Sequence, residues 1–281
     1  MAIITAACNV VSVTDKLQIL TSFFVMEDFA RKVGGQYVEV ESIVPSGSEI
    51  HGYEPTTGDI VKLTTADMFI YNGAGLEHFV TSLQEAVNND NLQYVEASRG
   101  LTLLVADEHQ DPHTWLSPLN AKKQMENIKD AIVAIDQEHA SYYENRFSIF
   151  AAKFDELHDQ YQTLLEPGEG QYLVTGHAAF GYLTNAYDLI PLPIGGHDSE
   201  QEPTQQDIAH VIDIVNQNNI RYVYAESLTP SDAVLTVIQE TNAELETLSP
   251  IESLTAEQTM SNEDYFTVMK DNLFAIAKGF I

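Results

Sequence analysis

The sequence predicts an α/β protein: two βα lobes with parallel-type sheets, joined by one long, rigid connecting helix. Three observations carry this. From Lys16 onward, short apolar runs alternate with helical stretches of about a dozen residues, the pattern of parallel βαβ units. Between Pro118 and Leu165 no glycine or proline follows Pro118, so long helices fill that interval. After Pro167-Gly-Glu-Gly170 the strand–helix alternation resumes. The expected divisions are an N-terminal tail over 1–15, a first lobe over 16–137, the connecting helix over 138–166 and a second lobe over 167–281.

Leu17–Thr21 reads as a strand, and Phe23–Val33 has helical spacing that stops at Gly34-Gly35. Tyr37–Val44 alternates as a strand and closes at Pro45-Ser-Gly-Ser. Thr56–Thr64 is a short helix with Asp59 three residues after a Thr56 cap. Asp67–Tyr71 is a buried strand closed by Asn72-Gly73, and Leu76–Val87 is a helix. Two helices fill 118–165 and break near Asp136–His139; a helix from His139 to Leu165 is about 40 Å long. In the second lobe, strands are expected at Tyr172–Thr175, Leu189–Ile194, Arg221–Ala225 and Glu244–Ser249. The helices between and after them are Ala179–Tyr187, Thr204–Asn218, Asp232–Asn242 and Glu263–Lys278. Ligands of open α/β sheets sit at the carboxyl ends of strands, and in two-lobed proteins between the lobes.

Charge narrows the function classes. Thirteen Lys plus Arg stand against 42 Asp plus Glu in 281 residues, a net charge of −29. That excess repels phosphate backbones and anionic lipid surfaces, which argues against nucleic acid as a partner. No run approaches the roughly 18 apolar residues of a membrane span. The single cysteine, Cys8, excludes an internal disulfide and a thiolate metal cluster. Ala6-Ala7-Cys8 behind Ile3-Ile4 is similar to the tail of a bacterial lipoprotein signal, which makes Cys8 the expected site of a lipid anchor. Thr5 replaces the usual leucine and no basic n-region precedes it, so an ordinary buried cysteine is the competing reading.

Of nine histidines, His78, His139, His158 and His210 fall in predicted helices with no partner at ligand spacing. His51, His113 and His177 instead sit where strands or turns end, each beside a proline or glycine that holds the backbone. Glu252 occupies the same kind of position after the last strand. Two of these four belong to each lobe, and four such ligands converging on a cleft would close a tetrahedral site. By spacing alone, histidines at loop ends fit a catalytic or a structural role as well.

Several segments settle the choice by resemblance. Pro45-Ser-Gly-Ser-Glu-Ile-His-Gly-Tyr-Glu-Pro-Thr56, Ala66-Asp-Met-Phe-Ile-Tyr-Asn-Gly73, Glu77, Asp111-Pro-His-Thr-Trp-Leu-Ser-Pro118, Val174-Thr-Gly-His-Ala-Ala-Phe-Gly-Tyr182 and Glu200-Gln-Glu-Pro-Thr204 resemble the metal-binding solute-binding proteins of ABC importers. Within cluster A-I, the likeness is to the zinc-receptor branch, including Gram-positive zinc-binding lipoproteins, and it covers nearly the whole chain after residue 16. It implies an extracytoplasmic receptor that is not an enzyme. Zn²⁺ would be held between the lobes by His51, His113, His177 and Glu252 and delivered to an ABC transporter permease by a monomer on the cell surface. Three imidazoles and one carboxylate suit tetrahedral zinc better than manganese. Each histidine's second ring nitrogen is expected to be held by a carbonyl or carboxylate. The long helix argues for release by local movement of second-lobe loops.

The chain departs from the family in one place. The long His/Asp/Glu-rich loop that many zinc receptors carry is reduced here to Ala106-Asp-Glu-His-Gln-Asp111, so His109 is expected to be solvated. His197 is expected to be no extra ligand, and Glu54 and Glu226 to cap helices or form interlobe ion pairs. The alternatives are a manganese or iron receptor of the same family and a zinc hydrolase built on the same histidines. Cell adhesion is a third class, which the family suggests and no residue of this chain carries.

Overall fold

A computed structural model describes residues 16–106, 109–197, 202–226 and 231–280. The tail over 1–15 with Cys8, the His109 side chain and Glu200-Gln201 lie outside the described residues. Two four-stranded parallel sheets form the frame. The first holds β1 (Leu17–Thr21), β2 (Val38–Ser42), β3 (Met68–Tyr71) and β4 (Gln93–Glu96) in the order β2-β1-β3-β4. A two-stranded antiparallel hairpin follows, β5 (Val105–Ala106) with β6 (His109–Gln110). The second sheet holds β7 (Tyr172–Thr175), β8 (Ile190–Pro193), β9 (Tyr222–Glu226) and β10 (Glu244–Leu248) in the order β10-β9-β7-β8. Counted from its own first strand, it has the same order as the first sheet, so the two lobes repeat one topology. This α/β architecture of two parallel-sheet lobes and a long helix is the one expected.

Helices α1 (Phe24–Gly34), α2 (Thr57–Leu63) and α3 (Val80–Ala86) cross over between the first-lobe strands. Helix α1 stops where Gly35 turns to φ +54, and α2 begins with the full Thr56/Asp59 capping box. Helix α3 starts four residues later than the apolar spacing suggests. Gly73, Ala74 and Gly75 all have positive φ, and this tight loop uses up the first turn. Strand β4 was not expected: it is a four-residue edge strand with no buried residue, so it lacks an apolar run.

Helices α4 (Pro118–Ile135) and α5 (Ala140–Leu165) pack together after a short 3-10 turn at Gln137–His139. The 26 residues of α5 extend about 39 Å. The second lobe adds α6 (Gly181–Ala186), α7 (Gln205–Asn218), α8 (Asp232–Glu240), α9 (Ala256–Met260) and α10 (Tyr265–Ala277). α5 packs on both α1 and α10, so one apolar core runs from the first lobe through α5 to the second. Phe154 of α5 marks the junction, with ring centroids 5.7 Å from Phe29, 5.5 Å from Tyr265 and 4.7 Å from Phe266. A smaller core built on Val174, Val211, Val223 and Val234 lies within the second lobe. Among the described residues, no helix is long and apolar enough to cross a membrane.

Candidate metal centre

His51, His113, His177 and Glu252 come together between the lobes, with one ligand atom of each inside a 4.8 Å group. His51 follows β2 in a turn whose backbone is tied down locally. Glu49 Oε1 accepts from the Ile50 and His51 amides, and the Tyr53 hydroxyl donates to the Ile43 carbonyl (2.9 Å) and to Asp59 (2.9 Å). His113 lies behind Asp111-Pro112 and is fully buried. Its loop is held by the Asn72 side chain: Nδ2 donates to the Pro112 carbonyl at 2.9 Å, and Thr114 and Gln124 donate to Oδ1. Asn72 is itself fixed because the Glu77 carboxylate accepts from the Asn72 and Gly73 amides (2.8 and 3.0 Å). His177 follows β7 directly, and Glu252 follows β10.

The donor atoms converge closely. His51 Nε2 and His113 Nε2 are 3.3 Å apart, and Glu252 Oε1 lies 3.3 Å from the first and 3.2 Å from the second. His177 Nε2 is 3.7 Å from the same oxygen and is buried with no hydrogen-bond partner. Ligand bonds of about 2.0–2.1 Å in a tetrahedron place neighbouring donors about 3.3 Å apart, so the His51, His113 and Glu252 atoms already have the spacing of one small tetrahedral cation, with His177 Nε2 a little further out.

Carboxylates orient two of the rings. Asp111 Oδ1 accepts from His113 Nδ1 at 2.9 Å and from the His113 amide at 2.9 Å. Glu226, at the end of β9, accepts from His177 Nδ1 at 2.8 Å and from the His177 amide at 3.1 Å. A carboxylate only accepts, so both Nδ1 atoms carry a proton and both Nε2 atoms face the cleft. Glu226 therefore does neither job the sequence suggested; it is the orienter of His177. It approaches across Gly176, where a Cβ would stand 2.8 Å from its Oε2. Glu54 is exposed, and the nearby helix is capped by Thr56 and Asp59 instead.

The charges of the site are mutually supporting. Burial pulls His177 down, but the hydrogen bond to Glu226 and the nearby Glu252 and Glu226 charges push it up to about 10. Burial likewise works against His113, and Asp111 and Glu252 raise it above the ordinary imidazole value. Burial pushes Glu252 up, yet the three imidazoles hold it well below the usual carboxylate range. His197 stands beside the group and turns its Nδ1 to the Ala178 carbonyl at 2.8 Å. Asp111, His113 and His197 also come close enough to hold a cation, but Asp111 is already committed to His113. His139 stacks on Tyr37 and His158 meets the Tyr187 hydroxyl, both apart from the centre.

Comparison with known proteins shows the family of the chain. Residues 19–279 match the family model for the periplasmic zinc-uptake complex component A, ZnuA. The high-affinity zinc uptake system protein ZnuA of Bacillus subtilis is 32% identical over 277 residues, covering 93% of this chain and 87% of the relative. The iron-binding protein YfeA of Yersinia pestis is 33% identical over 272 residues, covering 94% and 86%. The zinc-binding lipoprotein AdcA of Streptococcus pneumoniae is 30% identical over 98% of this chain, which spans only 58% of that relative's length. The crystal structure of the Zn(II)-bound ZnuA-like domain of AdcA superposes with a TM-score of 0.83 at 32% identity, covering 94% of this chain and 99% of the domain.

Proposed function

Because the chain belongs to the ZnuA family of periplasmic zinc-uptake components, we propose that it is an extracytoplasmic receptor that captures Zn²⁺ and delivers it to an ABC-type permease. The ligands are Nε2 of His51, His113 and His177 and the Glu252 carboxylate. The observation that carries this reading is the 3.2–3.7 Å spacing of the donors around Glu252 Oε1. Three imidazoles with one carboxylate favour tetrahedral zinc, whereas manganese takes more oxygen ligands in a larger shell.

Capture follows from preorganisation. Asp111 and Glu226 hold two rings in the metal-binding orientation, so little ordering remains when the ion arrives. Release by wide hinge opening would break the shared core around Phe154, so movement is confined to the loops after β7 and β10. Glu252 fills the coordination position that a hydrolytic water would need, which argues against a zinc hydrolase. Cys8 as a lipid anchor and a monomeric state complete the proposal.

Iron is the second reading, favoured by the similarity to YfeA. Elemental analysis of the purified protein and competitive titration of zinc, manganese and iron separate the two. Zinc titration of His51→Ala and His177→Ala tests the site, with weaker binding expected in both; binding equal to wild type in either removes that ligand.

A further inference from the structure

We propose that Trp115 is a positioning residue for the fourth ligand, acting across the boundary between lobes to aim Glu252 at the three imidazoles. The inference rests on the reading of Glu252 as a zinc ligand. Trp115 is fully buried, two residues after His113, with its ring 5.4 Å from the His113 imidazole and 4.9 Å from Phe23. Its indole Nε1–H donates to the Pro250 carbonyl at 2.7 Å, and its own carbonyl accepts from the Tyr265 hydroxyl at 2.6 Å. Pro250 is two residues before Glu252. One first-lobe side chain thus joins the loop of one ligand to the loop of another.

The backbone between Pro250 and Glu252 shows why such a pin matters. Ile251 is fully buried and has φ +59, in the left-handed region that β-branched residues rarely enter. Such a conformation persists only where its surroundings over-determine it. Up to Ser249 the restraints belong to the second lobe: Asn272 clasps both the amide (2.8 Å) and the carbonyl (2.7 Å) of Ser249, and the Ile251 amide donates to Ser249 Oγ (3.1 Å). Beyond Ser249 the first lobe supplies two more. The Trp115 indole takes the Pro250 carbonyl, and the Gly47 amide donates to the Ser253 hydroxyl. The turn at Ile251 lies between these two first-lobe contacts, so the direction of Glu252 follows the register of the lobes. A buried indole N–H and a buried carbonyl each lose a partner if that register slips, which makes the aimed state the favoured one.

A double-mutant cycle on the full chain tests this, with zinc Kd measured by competition against a chelator. Glu252→Ala alone is expected to weaken zinc binding by about 100-fold or more. Trp115→Phe keeps the ring and removes the N–H, and is expected to weaken it about tenfold. If Trp115 acts through Glu252, the same substitution costs less than about twofold in the Glu252→Ala background. An equal cost in both backgrounds, or none in the wild type, overturns the inference while leaving Glu252 a ligand. No change in Glu252→Ala overturns the ligand reading itself. Trp115 is the only tryptophan, so biosynthetic replacement by benzothienylalanine, which keeps the shape and lacks the N–H, repeats the cycle should Trp115→Phe not fold.

Discussion

Lowering the pH from 8 to 6 should weaken zinc binding by about 100-fold or more. Zinc and a proton compete for the same Nε2 lone pair, so a protonated imidazole must lose its proton before it can ligate. In the ion-free arrangement, Glu226 and Glu252 push His177 up to about 10 against the opposing effect of burial. Below that value each displaced proton changes the apparent affinity about tenfold per pH unit, so two units give about 100-fold. Against burial, Asp111 and Glu252 also raise His113, and its proton adds to the dependence. The sign is fixed: affinity rises with pH and levels off only above the raised values. Chelator competition at pH 6, 7 and 8, at constant ionic strength because the chain carries −29, measures the slope. Calorimetry in two buffers of different protonation enthalpy counts the protons released. Glu226→Ala should flatten the slope between pH 8 and 9, because the push on His177 is lost, and should lower the alkaline-limit affinity about 10–100-fold. A flat affinity between pH 6 and 8, or no proton release at pH 7.5, would refute the reasoning.

Three further outcomes follow from particular contacts. Gly181→Ala places a Cβ 2.4 Å from Asp111 Oδ2, and the buried carboxylate has little room to retreat, so it should lose its grip on His113. Zinc affinity should drop about tenfold with little change in secondary structure by circular dichroism. Phe154→Ala empties the aromatic junction of α1, α5 and α10 and should cost about 3–5 kcal/mol, read as a lowered melting temperature of the ion-free protein. Asp136 accepts from Tyr143 (2.6 Å) and His139 (2.7 Å) at the α4–α5 turn; burial raises its carboxyl, but these partners hold it below the ordinary value. A depressed carboxyl stabilises the fold above its unfolded value and loses that contribution as pH falls through the folded one. Asp136→Asn should therefore lower the melting temperature by about 2–4 °C at pH 7, with the gap closing in acid; an unchanged gap at pH 3 would count against the assignment.

Much of the candidate centre was legible in the residues themselves. His51, His113, His177 and Glu252 each follow a strand end or its loop, and a proline or glycine beside each histidine announces a fixed backbone. Thr56 with Asp59, and Thr204 at the head of α7, show their caps in sequence because a capping box is a contact three residues long. Other features left no such trace. Strand β4 has the half-polar composition of an edge, where pairing with β3 rather than burial makes the strand. Glu226 reads as one acidic residue among many, since its bond to His177 spans 49 positions.

The sequence by itself determined the two runs of βα units, the helix between them, and the turns on which His51, His113 and His177 stand. These depend on local periodicity and turn chemistry, which act over a few residues. Tertiary structure alone decided how those side chains are aimed. Asp111 on His113, Glu226 on His177, and Trp115 on the loop before Glu252 are contacts set by the docking of whole strands and helices. Even where the residues are two apart, as in Asp111 and His113, the loop is held by Asn72 from another strand end. Turn chemistry and resemblance single out the donors of the centre, but only packing brings the three imidazoles to within 3.2–3.7 Å of one oxygen.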